Sequence, residues 1–391
     1  MKKFIIIIIS LVFFLNLANA QSIEDILAEI KQNNTKLLAL RKASDAEKLE
    51  NKTGLFLENP ELEFHYLWAS PNSLGQRADI SISQSFDFPT VYGHQNKISE
   101  LKNVQVELEY LKEYKALILE SKLLLFQLVF YNARHHQISK RLEHAQSIAS
   151  SYRAKFKVGE ANVLEFNKSQ LNLLNLQKES ESIDIERKSL LRQLIALNGG
   201  KTLAFESSAY EIATLPIDFE QWYAEAEAQN PVLNWIKQEV ELSDRQVKLS
   251  KAKSMPKLEA GYMSEGLSDT RFQGLVVGLS IPLWEHKNTV KYAKANTDAM
   301  ISYAVDRKIE FYHHLQHLYD KSISLQMNVS DYRTQLNKYE HSALLKKALD
   351  KGQITLIDYM LELAIYYESQ NRLLEMERDL NLTLAELYQF M

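Results

Sequence analysis

Residues 157–166 read KVGEANVLEF, and residues 350–359 read DKGQITLIDY. Each segment carries one glycine, Gly159 or Gly352, between two long stretches that contain almost no helix breakers. Because glycine readily takes the conformation that ends a helix, we predict that both segments are tight turns joining two helices. An acid follows six residues after each glycine, Glu165 in the first segment and Asp358 in the second.

The two segments belong to a longer internal repeat. Four anchors recur in the same order along the two halves of the chain: Asn34 and Asn230, Pro60 and Pro256, Pro89 and Pro282, and Gly159 and Gly352. The spacing is 196 residues for the first two pairs and 193 for the last two, which predicts a longer loop in the first half. Four ordered anchors with one small insertion indicate a duplication. We predict a first repeat over 21–200, a connector over 201–220 and a second repeat over 221–391.

Each repeat contains a predicted β-hairpin, over about 61–88 and about 257–282. Residues 61–68 (ELEFHYLW) and 79–88 (DISISQSFDF) alternate apolar side chains with polar ones, and 272–281 (FQGLVVGLSI) alternates apolar with small ones. Strands with one apolar face and one polar or small face are typical of a transmembrane barrel. A soluble antiparallel sheet packed on helices has the same alternation, so the pattern alone leaves both alternatives open.

The rest of the chain is predicted to be long helices. All seven prolines lie outside 90–215 and 283–391, and few glycines occur within those spans. Val104, Leu111, Ile118 and Leu125 are spaced by seven residues, as in a coiled coil. A helix over 94–157 would be roughly 96 Å long, which is typical of a structure that crosses the periplasm.

Residues 1–20 (MKKFIIIIISLVFFLNLANA) are predicted to be a signal peptide. Lys2 and Lys3 precede an apolar core, and the small residues of ANA fit a cleavage site. An anchoring helix is the alternative, but the apolar stretch is short. The mature chain would then start at Gln21 and lie in the periplasm, in the outer membrane or outside the cell. Glu120 and Lys122 interrupt the best later candidate for a membrane-spanning helix, so we expect none in the mature protein.

Composition excludes several classes of protein. The 391-residue chain is 46% hydrophobic, which argues against disorder. It has no cysteine, so disulfides, thiolate metal sites and cysteine nucleophiles are excluded. Its net charge of −4 offers no basic excess for nucleic acid. Since no catalytic or cofactor-binding motif occurs, we expect neither enzymatic activity nor a cofactor.

With these features in place, the sequence resembles the TolC-like outer-membrane efflux protein family from about Ser22 to Tyr388. The resemblance rests on the repeated order of elements, on NPELEFHY (59–66) and MPKLEAGY (255–262) entering the strands, and on the two tip segments. It implies a mainly α protomer with a small β part. Three protomers would form an outer-membrane β-barrel continued by an α-helical periplasmic tunnel.

The resemblance also implies a function and partners. Such a channel is the passive exit duct of a tripartite efflux system, which conducts metal cations or drugs from an inner-membrane pump and a periplasmic adaptor. The segment QSFDFPTVYGHQNK (84–97) favours a resistance-nodulation-division pump. Independently of the resemblance, four strands are too few to enclose a channel, whereas a homotrimer in contact with outer-membrane lipid would supply about twelve.

In such a trimer Glu165 and Asp358 are candidate aperture acids, because rings of acids would concentrate cations at the narrow tip. The alternative for either acid is a solvated residue at a helix start. Some relatives have a second acid where Leu361 stands, and a closing Tyr and Arg where Leu349 and Ile354 stand. Because this chain has Leu349 and Ile354 at the positions of that Tyr and Arg, the contact that closes the tip in those relatives is in doubt here.

Other candidates carry weaker signals. Trp68 and Trp284 flank the strand pairs and are candidate membrane-interface aromatics, with ordinary packing as the alternative. The pairs His135–His136 and His313–His317 lack further ligands at a known spacing, so we predict surface histidines and no metal site. A periplasmic adaptor and a secreted coiled-coil protein are the other classes that long helices allow. An adaptor would have one long helical hairpin, whereas this chain has two predicted helical hairpins, each preceded by a strand pair. The secreted coiled-coil protein stays open as an alternative.

Overall fold

The computed structural model describes residues 22–68, 75–211, 214–267, 270–339 and 342–391. The predicted signal peptide, residues 1–20, lies outside the described residues. The helices are α1 (Ile23–Asn33), α2 (Thr35–Glu50), α3 (Thr90–Lys157), α4 (Val163–Leu197), α5 (Phe219–Gln229), α6 (Pro231–Lys253), α7 (Thr289–Lys338), α8 (Ser342–Asp350) and α9 (Leu356–Leu387). The strands are β1 (Glu61–Trp68), β2 (Gln76–Phe86), β3 (Lys257–Leu267) and β4 (Thr270–Ser280).

The longest helix follows from the absence of breakers. Helix α3 has 68 residues, so it is about 100 Å long, and it begins directly after Pro89. Of the residues spaced by seven along it, Leu125 is fully buried whereas Val104 is exposed. Since the α-helical period is 3.6 residues, a strict seven-residue spacing drifts around the helix and does not by itself mark the buried side.

The second half departs from the predicted continuous helix after residue 283. Residues between β4 and α7 form turns, with Lys287 N donating to Trp284 O and Thr289 N donating to His286 O, both at 3.2 Å. Asn288 has φ +69, which no residue within an α-helix adopts and which asparagine tolerates better than most. Helix α7 ends at Lys338 and α8 begins at Ser342.

The four strands form one antiparallel sheet in the order β1-β2-β3-β4. The two predicted hairpins therefore lie side by side, because β2 pairs with β3 along its length. The connection from Trp68 to Gln76 is longer than that from Leu267 to Thr270, in the direction that the spacing of the anchors predicts. Observed strand ends differ from the predicted ones by a few residues.

The chain forms two compact units, and each takes segments from both halves of the sequence. One unit comprises Met1–Leu38, Tyr114–Ala226 and His313–Met391, and the other comprises Ala39–Glu113 and Glu227–Tyr312. These units differ from the predicted repeats, whose boundaries stay a prediction. The unit with the sheet has a core cluster of Val91, Ile98, Leu249 and Ala252, against which Phe88 packs.

Helix α3 also contains a stretch that meets the length and composition of a membrane span. An 18-residue window with no more than two charges qualifies, so Glu120 and Lys122 interrupt the stretch less than the sequence argument assumed. Forty-four per cent of this window is buried inside the protein. Leu125, Val129 and Phe130 of this helix are fully or almost fully buried.

Candidate functional site: the two helical tips

The first tip is the turn that joins α3 to α4. Gly159 has φ +77, a left-handed conformation that side chains other than glycine adopt at a cost. Gly159 N donates to Phe156 O at 3.2 Å, and Glu160 N donates to Lys155 O at 2.8 Å. These bonds satisfy the last carbonyls of α3, as in a glycine-terminated helix.

The second tip, between α8 and α9, repeats this geometry. Gly352 has φ +67, Gly352 N donates to Leu349 O at 2.9 Å, and Gln353 N donates to Ala348 O at 2.8 Å. A Cβ atom added to Gly159 or Gly352 would meet no atom within 4 Å. The need for glycine at both tips is therefore a matter of the backbone conformation alone.

Each candidate aperture acid closes a capping box at the start of the helix that follows. Asn162 Oδ1 accepts from Glu165 N at 2.9 Å, and Glu165 Oε2 accepts from Asn162 N at 3.1 Å. Thr355 Oγ1 accepts from Asp358 N at 3.1 Å, and Asp358 Oδ2 accepts from Thr355 N at 3.2 Å. Thr355 Oγ1 also lies 2.7 Å from Asp358 Oδ2, to which the hydroxyl can donate.

These contacts give both acids a local role within one chain. A carboxylate at the third helical position accepts a hydrogen bond from a backbone N–H and interacts favourably with the positive end of the helix dipole. A helix-start residue of this kind is the alternative to an aperture acid that the sequence leaves open. Asp358 is exposed and Glu165 is half-buried, so a solvated oxygen remains available at least at Asp358. Their assignment to an aperture stays a prediction.

The two tips share a small apolar cluster. Tyr152 of α3, Ala161 of the first turn and Leu356 of α9 are buried together, and Ile148 and Met360 pack against them. Leu349, which stands where some relatives have a closing tyrosine, also packs against this cluster. Leu349 therefore has an apolar contact within its own chain.

Burial in this region changes the acidity of two phenols. It raises the pKa of Tyr152, and the nearby negative charge of Glu165 contributes in the same direction. Burial likewise raises the pKa of Tyr359, the neighbour of Asp358. Both phenols therefore remain neutral at physiological pH and add no charge beside the acids.

The sheet has two chemically different faces. One cross-strand row is apolar on every strand and consists of Leu62, Ile82, Tyr262 and Leu275. On the opposite face, Arg77 Nε lies 2.8 Å from Asp79 Oδ2, and Arg77 Nη2 lies 2.9 Å from Glu265 Oε1. The sheet therefore separates an exposed apolar surface from a polar, ion-paired one.

The two candidate interface tryptophans are both exposed. Trp68 is 76% exposed at the hairpin end of β1, and Trp284 is 80% exposed just beyond the opposite end of β4. Two exposed tryptophans near opposite ends of the strands are arranged as membrane-interface residues would be. That role stays a prediction.

The histidines show no metal site among the described residues, where no group of three or more His, Cys, Asp or Glu could hold an ion. His135 Nε2 lies 3.5 Å from Asp184 Oδ1, and Arg187 Nη1 lies 3.3 Å from the same oxygen. His135 thus lies beside the ion pair of Asp184 and Arg187, between α3 and α4.

Sequence reasoning missed two features of the tip region. One is the cluster around Leu356. Which apolar tip residue is buried depends on how the α3–α4 helix pair packs against the α8–α9 helix pair, and the local sequence does not determine that packing. The other is Arg141, which is almost completely buried between α3 and α9. A lone arginine in a helix that contains many polar residues carries no signal of burial.

No protein-family model and no curated protein matches the sequence. Solved structures do match: the fold is that of bacterial outer-membrane channels, each aligned over 94% of this chain. OprN, an outer-membrane channel, has a TM-score of 0.78 at 12% identity, with 89% of its chain covered. CusC, whose structures concern transmembrane channel formation, has a TM-score of 0.77 at 13% identity, with 91% covered.

The CmeC outer membrane channel of Campylobacter jejuni has a TM-score of 0.76 at 14% identity, with 84% of its chain covered. At these identities the likeness establishes the fold. It confirms the predicted fold class, a mainly helical protomer with a small antiparallel sheet.

Proposed function

We propose that this chain is the protomer of a homotrimeric outer-membrane channel that serves as the passive exit duct of a tripartite efflux system. The channel would cross the outer membrane through its strands and reach into the periplasm through its helices. Its substrates would be metal cations or drugs, moved through a hydrated lumen by the energy of a partner pump. The likeness in fold to outer-membrane channels supports this class of function.

The observation that carries the proposal is the four-stranded sheet. Within the described residues β1 and β4 each pair on one side only, so both edges present unpaired backbone groups. Leu275 and Val277 on the apolar face of β4 are 86% and 84% exposed. An apolar face and two open edges would be unfavourable in water, whereas a closed ring of copies in lipid satisfies both.

Exposed apolar side chains along α7 support association with further copies. Large apolar side chains along this helix are exposed, namely Tyr292, Ile301, Tyr303, Val305 and Ile309. A run of this kind on one helix is more apolar than the surface of a soluble monomer usually is. Wrapping three such protomers into a tube would cover it.

At the tips, rings of Asp358 and, less directly, Glu165 would face the aperture and concentrate cations. Val158 and Leu164 at the first tip are exposed, and this supports docking of a periplasmic adaptor there. The partner pump would be of the resistance-nodulation-division type, as the resemblance of residues 84–97 implies. Trp68 and Trp284 would lie at the two membrane interfaces.

Assembly can be tested by cross-linking the two sheet edges. Because the chain has no native cysteine, Glu63→Cys on β1 and Val276→Cys on β4 would be the only thiols in a double variant. Both positions lie in rows of the polar face. Pairs shifted by two residues along β4 would sample other registers.

In a cyclic trimer, oxidation of one such pair should give covalent dimers and trimers, while each single variant stays monomeric under denaturing conditions. Covalent oligomers in no register, together with a soluble monomer in buffer without detergent, would favour the adaptor-like or secreted coiled-coil alternative.

Conduction can be tested on the purified protein in planar bilayers. Asp358→Asn should weaken cation selectivity and block by multivalent cations, because it removes one charge per copy from the proposed ring. Asp25→Asn is the matched control: Asp25 closes a capping box with Ser22 in α1 at 3.1, 3.1 and 2.8 Å, nearly the geometry of Thr355 and Asp358.

The control separates the charge at the aperture from the loss of a helix cap. If Asp25→Asn and Asp358→Asn leave selectivity equally unchanged, Asp358 is only a capping residue. Glu165→Gln then tests the first tip in the same way. Absence of any conductance from correctly assembled trimers would contradict the channel itself.

A further inference from the structure

Arg141 is a buried cation whose contacts are all neutral. It lies on α3, is 5% exposed, and its Nη2 donates to Gln137 Oε1 at 3.2 Å, to Tyr367 O at 3.3 Å and to Asn371 Oδ1 at 3.1 Å. Its guanidinium carbon lies 4.1 Å from the centre of the Tyr367 ring. Three amide-type acceptors and one aromatic ring stabilise the group without neutralising it.

No carboxylate pairs with Arg141 in the part of the chain that the structure describes. The nearby carboxylate of Glu179 forms an ion pair with Arg134 instead, with Glu179 Oε1 2.6 Å from Arg134 Nη2. Arg141 Nε is buried and has no hydrogen-bond partner among the described residues. Buried charges are normally paired because removing an isolated ion from water is costly, so a missing anion is the anomaly at this position.

A cavity of about 260 Å³ lies beside this arginine, between α3, α4 and α9. Apart from Arg141, its wall includes the amide side chain of Asn172 and the apolar side chains of Ile148, Met360 and Leu363. The acid at its edge, Glu368, has a side chain that is 76% exposed and lies 3.8 Å from Arg372, so it is directed toward solvent. The wall thus combines one unneutralised cation with a largely apolar lining.

We propose that this cavity binds a small organic monocarboxylate. Its carboxylate would accept from the guanidinium of Arg141, and its apolar body would pack against Ile148, Met360 and Leu363. A planar carboxylate matches the fork of a guanidinium, and one negative charge balances one positive charge. A dianion such as phosphate would leave an excess negative charge in a largely apolar cavity. The proposal does not depend on the channel function, since it concerns a site within one protomer.

Benzoate is a suitable probe, with benzyl alcohol as its neutral counterpart of similar size. The full-length protein, purified in a non-ionic detergent and in buffer without carboxylates, would be titrated with each by calorimetry. We expect benzoate to bind and to raise the thermal unfolding midpoint as its concentration rises, while benzyl alcohol does neither. Equal responses to both probes, or no benzoate binding at millimolar concentrations, would overturn the proposal.

Three variants locate the binding. Arg141→Lys keeps the charge but loses the planar fork and should weaken benzoate binding by about tenfold. Ala364 lines the cavity and is exposed, so Ala364→Phe should fill the cavity, abolish binding and leave the fold intact. Ala224 is an exposed alanine of α5 outside the cavity, and Ala224→Phe should bind benzoate as the parent does. Undiminished binding by Ala364→Phe would show that benzoate binds elsewhere and would contradict the proposed site.

Discussion

The two helical tips have the same backbone and different surroundings. Both turn at a glycine with positive φ, and both open the next helix with a capping box at the same spacing. The residue that begins the next helix, however, is Val163 in the first tip and Leu356 in the second. Val163 is 52% exposed, whereas Leu356 is 1% exposed and packs against Tyr152.

This difference shows which part of a repeated structure the local sequence determines. Glycine and the capping residues act within six residues of chain, so they give the same turn twice. Burial depends on how the two helix pairs pack against each other. Equivalent positions of the two tips can therefore differ in burial, as Val163 and Leu356 do. The second tip packs against the first through Leu356. Helix α8, which leads into the second tip, has no buried residue among those described.

The strongest test of this comparison replaces the equivalent residues one at a time. Leu356→Ala should destabilise the tip cluster by about 3 kcal/mol, because it leaves a cavity among Tyr152, Ala161 and Met360. Val163→Ala should change stability by less than about 0.5 kcal/mol, since the side chain is exposed. Hydrogen exchange of peptides covering 148–166 and 349–363 would report the local opening free energies.

Val163→Ala is the control for this pair, because it removes apolar atoms from the same helical position. If both variants accelerate exchange to the same extent, the two tips are equivalent in energy as well as in backbone. The distinction drawn from burial would then be wrong.

The tip glycines should behave alike in spite of the different surroundings. Gly159→Ala and Gly352→Ala should each cost about 1 to 2 kcal/mol, because alanine is strained at positive φ although its Cβ would meet open space. Gly93 of α3 is a matched control without positive φ and also faces open space, so Gly93→Ala should stabilise the helix by up to about 1 kcal/mol. The same exchange measurement checks the two tip variants, and exchange of a peptide covering residue 93 checks Gly93→Ala. A much larger cost at one tip would indicate a steric requirement there.

The capping residues give a smaller and again symmetric effect. Asn162→Ala and Thr355→Ala each remove the acceptor for a backbone N–H of the next helix, which should cost about 1 kcal/mol. Ser22→Ala, which removes the corresponding acceptor in α1, should cost a similar amount and leave exchange at the tips unchanged. Thermal unfolding midpoints and local exchange together distinguish a lost cap from a disturbed cluster.

Much of the fold is predictable because its signals are local. The glycine turns, the helix starts and the alternation of the strands act over a few residues, and the sequence places all of them to within a few positions. The pairing of β2 with β3 joins residues far apart in the chain, and no local pattern specifies it. Leu356 and Arg141 were missed for the same reason, since their burial is created by helices that meet only in the folded protein. The turn at Asn288 was missed because asparagine breaks a helix less strictly than proline or glycine.

The smallest expected effect concerns the two buried tyrosines of the tip region, Tyr152 and Tyr359. Burial raises the pKa of Tyr152 and of Tyr359 in the folded protein, while the same phenols in the unfolded chain ionise near their usual pKa of about 10. The stability that each contributes is therefore complete below about pH 10 and is lost as pH rises through the folded-state pKa. Tyr152→Phe and Tyr359→Phe should each make the thermal midpoint fall less steeply with rising alkaline pH. Phenolate absorbance should show correspondingly fewer late-titrating groups, and an unchanged pH slope in both variants would mean that neither phenol is buried at the tips of the assembled protein.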